Sequence, residues 1–392
     1  MELQVEKNIL KTDNSICRYH NDLLKRIVNR NFDIKYIKDI IIYLLILYTE
    51  THNEYYKKIL LQINDEYMKE YSNFVYNNSF WYGHSSYLYI LNKMNKFGIL
   101  KEGNFDNYKN IILSQIQNIN NGIFIHNHRW YDLFNGLNGN LIFLLEYDDL
   151  VIKKELYKLV DNIIEELKKL SKNQENIFLI TEKNYIDKKM KNIFKKNYID
   201  LGVAHGLINI LQILYKIYNK YKYEPAKLGM NILIDYYYSI ISNFKGKIKN
   251  IERISIDKKI RYSVNTNIYK WGNGIHTVII YLTYYCKLIN NKKYDYFKKY
   301  IDIEGIKKVI IFNQESKTFT NGIYGYIFNY YFILKKIDNF DEKNKIDLYE
   351  IIKRIMNKFE FTDDFSIMEG NLSPIICMPS FNNEIAFEIL GI

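Results

Sequence analysis

One histidine and one aspartate, each beside a glycine turn, offer the clearest chemistry in this sequence. His205 lies in Leu201–Gly206 (LGVAHG) and Asp132 in Tyr131–Gly139 (YDLFNGLNG). An imidazole exchanges protons near neutral pH, and a carboxylate within reach can orient the ring or the substrate. Each turn leads into an apolar run, so both residues stand at the start of a helix. Unpaired N–H groups and the positive end of the helix dipole suit anions, carboxylates and thiolates there. The same residues also fit a structural role, with Asp132 capping a helix and His205 a hydrogen-bonded core residue.

Those turns belong to a pattern. A turn containing Gly, a small or polar residue three positions later and then an apolar run recur six times. The copies are Tyr82-Gly83-His84-Ser85-Ser86, Asn135-Gly136-Leu137-Asn138-Gly139 and His205-Gly206-Leu207-Ile208-Asn209, followed by Asn273-Gly274-Ile275-His276-Thr277, Asn321-Gly322-Ile323-Tyr324-Gly325 and Glu369-Gly370-Asn371-Leu372-Ser373. The glycines at 83, 136, 206, 274, 322 and 370 are spaced by 53, 70, 68, 48 and 48 residues, about one helical hairpin each. Repetition of this kind decides a fold before any single motif does.

The runs after the turns are apolar nearly all round, which marks buried helices. The stretches between them, such as Lys153–Leu170, place apolar residues at three- and four-residue intervals, as on outer helices. Six buried and six amphipathic helices form an all-α fold, an α/α toroid with six inner and six outer helices. The expectation is one domain over 1–392, with polar insertions near 171–200 and 244–267; Ile251–Val264 alternates enough to hold a short strand or two. All six inner helices start at the same end. Tyr82, Asn135, His205, Asn273, Asn321 and Glu369, with Asp132, then line the mouth of a central cavity, polar groups on an apolar floor.

Composition narrows the partners. The 392 residues carry a formal charge of +11, yet the lysines are scattered and no nucleic-acid module accompanies them. That excludes nucleic acid as the expected partner and leaves an acidic peptide as the alternative to a merely solvated surface. Cys17, Cys286 and Cys377 are far apart and form no C-x-x-C, so neither a disulfide framework nor a cysteine-rich metal site is expected. The first residues lack an apolar signal region, and the longest apolar run, Ile40–Tyr48, is too short to span a bilayer. A cytoplasmic protein without membrane insertion is the expectation.

LGVAHG and YDLFNGLNG are also the segments by which the chain resembles the lanthionine synthetase C family, the cyclases of thioether peptides. Trp271–Gly274 (WGNG), Thr320–Gly322 (TNG) and Met368–Gly370 fall, in order, where that family has its W-C-x-G, C-H-G and last glycine turn. The resemblance implies a lantibiotic-biosynthesis protein that binds a dehydrated precursor peptide and adds its Cys thiols to dehydroalanine or dehydrobutyrine. Its implied partners are a dehydratase and an exporter. His205 and Asp132 become the catalytic candidates, and Tyr82, Asn135, Trp271, Asn273, Asn321 and Glu369 the substrate-binding ones.

The family holds a zinc ion through two Cys and one His, and this chain departs there. The ligand positions are Gly272, Thr320 and Asn321; Ile268 and Asn273 replace an Arg and a Tyr that often flank the first ligand. Gly, Thr and Asn do not replace thiolate and imidazole, and the spacing of His276, Cys286 and Cys377 matches no other ligand set. No cofactor is expected. The readings are therefore a cyclase working without zinc, or a non-catalytic pseudo-cyclase that binds peptide or scaffolds the modification complex. A more distant one is a glycoside hydrolase on the same toroid, with Asp132 and Glu369 as its carboxylates.

Overall fold

The computed structural model describes residues 14–74, 84–100, 106–122, 130–134, 136–181, 198–244, 251–255, 260–262, 268–312, 318–320, 322–337, 342–357, 361–368, 370–374, 385 and 390. In chain order the helices are α1 (Asn14–Val28), α2 (Ile37–Thr51), α3 (Glu54–Phe74), α4 (His84–Lys96), α5 (Asp106–Asn120), α6 (Leu137–Leu144) and α7 (Leu150–Ser171). Strand β1 (Tyr198–Asp200) precedes α8 (Ile208–Tyr221) and α9 (Glu224–Ile241), and strands β2 (Ile251–Ser255) and β3 (Ile260–Tyr262) follow. The chain continues through α10 (Ile275–Leu288), α11 (Tyr294–Lys298), α12 (Ile303–Phe312), α13 (Ile323–Phe332) and α14 (Glu342–Met356).

Two compact units share this chain. One comprises Met1–Val75, Ile90–Gly103 and Asp302–Glu388; the other comprises Tyr76–Tyr89, Asn104–Ile301 and Ile389–Ile392. In the second, α6 is buried at every position from Leu137 to Leu144, and α10 from Ile275 to Cys286. The long helix α7 buries only one stripe, Ile152, Leu156, Leu159, Val160, Ile163, Ile164, Leu167 and Leu170, which is the amphipathic face of an outer helix. Each such side chain contributes about 1.5–3 kcal/mol by leaving water. Asp149 starts α7 as an N-cap, its Oδ1 accepting from Val151 N at 2.8 Å and Ile152 N at 3.3 Å. The stripe of α7 packs on α5 and α9, while α6 packs on α5 and α8, and α8 on α9 and α10.

In the first unit α2 packs on α3, α12 on α13, and α14 on both α1 and α13. Helix α13 is buried throughout Ile323–Phe332. So is α2 from Ile40 to Tyr48, which adds a buried helix ahead of the first repeated turn. Its entry carries no glycine, so the repeat pattern passes over it.

The two polar stretches, near 171–200 and 244–267, meet. Strand β1, at the end of the first, pairs antiparallel with β2 in the second, Tyr198 opposite Ser255 and Asp200 opposite Arg253, and β2 pairs with β3. The alternation in Ile251–Val264 is thus realised as β2 and β3; the third strand comes from a distant segment. Among the described residues, no helix is long and apolar enough to cross a membrane.

Candidate functional site

Asp132 and His205, 73 residues apart, are joined: His205 Nδ1 lies 2.5 Å from Asp132 Oδ2. A carboxylate only accepts, so the proton between them sits on Nδ1, and in the neutral ring Nε2 is the nitrogen that carries the lone pair. The Asp132 side chain is wholly buried, whereas the imidazole is 43% exposed. A buried charge must be fully partnered, and the other oxygen of Asp132 takes Phe134 N at 2.5 Å. Both oxygens are committed, one to the turn and one to the ring.

Aromatic groups set the surroundings. The Phe134 ring lies 5.7 Å from the His205 ring and 6.2 Å from that of Trp271, nearly perpendicular to the latter. Trp130 and Tyr131 meet edge to face, and both rings pack on Phe178. Burial first, then the Asp200 and Asp132 carboxylates, hold the Tyr131 phenol well above its ordinary range, so it is a neutral hydroxyl at physiological pH.

The loop carrying His205 is closed by its own backbone and braced by the next turn. Leu207 N donates to Asp200 O at 3.0 Å, and Gly202 N to Asp200 Oδ1 at 2.7 Å. Val203 N and Ala204 N both donate to Gly272 O, at 2.9 and 3.0 Å. Gly206 is needed for room: a Cβ there would fall on the Gly202 backbone and the Asp200 carboxylate. At Gly136, Gly274 and Gly322, φ is −113°, −73° and −129°, none of them left-handed; at Gly206, Gly274 and Gly370 the glycine serves a close approach of backbone.

The matching family model covers residues 39–372 and is described as lanthionine synthetase C-like protein. The chain belongs to the lanthionine synthetase C-like family. No curated protein sequence matches it. Among solved structures, nisin cyclase superposes with a TM-score of 0.63 at 17% identity, covering 98% of this chain and 93% of its own. At that identity the likeness carries the fold alone, an all-α α/α toroid, as the six turns imply.

The residues at the family's zinc-ligand positions differ in chemistry from its ligands. Gly272 has no side-chain donor and its carbonyl is occupied by two N–H groups; Thr320 is a half-buried neutral hydroxyl. Neither supplies the thiolate or imidazole that zinc takes, so this donor set does not fit. Among the described residues no cluster of three or more His, Cys, Asp or Glu could hold a metal. Cys286 is buried in α10, and burial pushes its thiol up to about 12. His276 is buried in the first turn of the same helix.

Of the other sequence candidates, Trp271 is buried against Phe134 and Asn273 is half-buried in the turn that follows. Tyr82, Asn135, Asn321 and Glu369 lie outside the described residues, as do Cys377 and the side chain of Cys17. Phe134, Asp200 and Asn209 are not among the sequence candidates for the site. Asp200 had a signal: it stands six residues before its turn glycine, as Asp364 does before Gly370.

Proposed function

We propose that this protein promotes addition of a Cys thiol to a dehydroalanine or dehydrobutyrine of a bound precursor peptide, with His205 carrying the proton and no zinc. The observation that carries the reading is the Asp132–His205 pair, with Nδ1 held by a buried carboxylate and the ring otherwise half open. Nε2 takes the thiol proton, and the thiolate, the true nucleophile, attacks the alkene β-carbon to form the C–S bond. The electron pair moves to the carbonyl as an enolate, and the imidazolium returns the proton to the α-carbon. The net change is S–H added across C=C, with every atom retained. Asp132 stabilises the imidazolium and fixes the ring, and confinement of thiol and alkene supplies effective concentration.

The test is incubation with a dehydrated precursor. Ring closure leaves the mass unchanged, so alkylation of the remaining thiols before mass spectrometry counts the rings. The wild type is expected to consume thiols faster than His205→Ala; equal rates would end the proposal.

A second reading, a peptide-binding pseudo-cyclase or scaffold for the dehydratase and exporter, draws on Gly272 and Thr320 standing where ligands are expected. It requires precursor binding without ring formation and indifference to His205→Ala. The glycosidase reading draws no support from Asp132, whose two oxygens are both engaged away from solvent.

A further inference from the structure

We propose that Asp200 and Asn209 are the positioning residues of His205, clamping its turn from both ends so that Nδ1 stays on Asp132; the inference rests on the reading of His205 as the proton carrier. Asp200, at the end of β1, closes the loop twice, through its carbonyl to Leu207 N and its carboxylate to Gly202 N. Asn209, fully buried in the first turn of α8, works from the other side. Its Nδ2 donates to Val203 O at 3.0 Å and Gly206 O at 2.9 Å, the carbonyls flanking Ala204-His205.

The amide of Asn209 is itself fixed. Its Oδ1 accepts from Asn138 Nδ2 at 2.8 Å, and Asn138 Oδ1 in turn accepts from Lys216 Nζ at 2.7 Å. With its oxygen claimed by α6, the amide must aim its N–H groups at the turn. Neither Asp200 nor Asn209 hydrogen-bonds the imidazole. A half-exposed ring with one side-chain hydrogen bond takes its place from the backbone beneath it, and these residues set that backbone.

The experiment uses the full-length chain labelled with ¹⁵N-histidine at pH 8, the His205 ring signals being assigned by their loss in His205→Ala. Wild type is expected to show one tautomer with the proton on Nδ1. Asp200→Ala and Asn209→Ala are expected to show mixed ring tautomers and about 10²-fold slower thiol consumption, the scale of a small misplacement. Asp200→Asn keeps the acceptor and is expected to restore the wild-type signals. Asp364→Ala, the equivalent change in the sixth turn, is expected to lower the melting temperature without touching them. If Asp200→Ala does not fold, Asn209→Ala decides.

The proposal is overturned if folded Asp200→Ala and Asn209→Ala melt lower yet keep the single tautomer, or if Asp200→Asn fares as badly as Asp200→Ala. Loss of the tautomer without any catalytic rate in the wild type would instead sink the proposed function and leave the positioning role standing.

Discussion

The third and sixth turns are built alike and end differently. In both, an aspartate closes an eight-residue loop with its own carbonyl, Asp200 O to Leu207 N at 3.0 Å and Asp364 O to Asn371 N at 2.8 Å. In both, the carboxylate takes the N–H two residues on, Gly202 or Ser366, at 2.7 Å. Both need a glycine at the seventh position, where a Cβ would meet the aspartate. The sixth turn then spends its remaining groups on structure. Asn371 exchanges two hydrogen bonds with the Thr362 backbone, and its carbonyl accepts from the Tyr19 hydroxyl. The third holds its His205 ring half open, against a buried carboxylate from another turn. The two turns share one backbone device, and chemistry comes from one side chain placed on it.

The largest test of that difference is catalytic. Asp132→Asn replaces an acceptor-only oxygen pair with an amide that can present N–H to the ring. It is expected to lose the Nδ1–H tautomer and about 10²–10⁴-fold of thiol consumption, the range of acid–base catalysis, measured by alkylation and mass spectrometry. Retained activity would divorce the pair from chemistry.

Next come matched glycine variants. Gly206→Ala and Gly370→Ala each force a methyl group onto backbone and carboxylate, and each is expected to cost about 1–3 kcal/mol in denaturant unfolding, the usual range for overpacking. Only Gly206→Ala should also slow thiol consumption. Equal catalytic losses would break the division between the two loops.

Metal removal sharpens the point. Prolonged treatment with a chelator is expected to leave the wild-type rate unchanged, since Gly272 and Thr320 offer zinc no soft donor. A rate that falls and returns with added zinc would refute a metal-free reaction.

The smallest effect concerns a second histidine. His20, in the unit that carries the sixth turn, is also held through Nδ1, here by the Tyr43 hydroxyl at 2.9 Å. Burial lowers it to about 3 from an ordinary 6.5. Between those values the unfolded chain binds the extra proton, so stability falls as pH drops from about 6.5 towards 3. The slope is at most about 1.4 kcal/mol per pH unit. In the same unit burial raises Asp39 to about 6 from 3.8; there the folded chain binds the proton, and stability rises as pH falls from about 6 to 4. The two slopes oppose each other between pH 6 and 4, and His20 acts alone below. His20→Phe is expected to flatten the acid limb in urea melts at pH 3–4. An unchanged limb would remove His20 from that account.

Much of the fold was legible because its signals are local. Buried helices read as apolar all round, α7 as a stripe, and the glycine turns as marks between them. Helix α2 falls outside the pattern because it is entered without glycine, from a short 3-10 turn, Ile34–Tyr36, that Asp33 caps. Asp132 and His205 were legible as residue types beside turns. Asn209 looked like one more small polar residue, since nothing local says where its amide points.

The sequence by itself determined the helical hairpins, the glycine-marked entries and the absence of Cys or His at 272, 320 and 321, because periodicity, turn room and donor chemistry are properties of neighbouring residues or single side chains. Only the tertiary structure decided that β1 pairs with β2, that Gly272 lends its carbonyl to the His205 turn, and that Asp132 gives one oxygen to His205. Those contacts join segments dozens of residues apart, and a hydrogen bond across such a distance is set by how the helices pack.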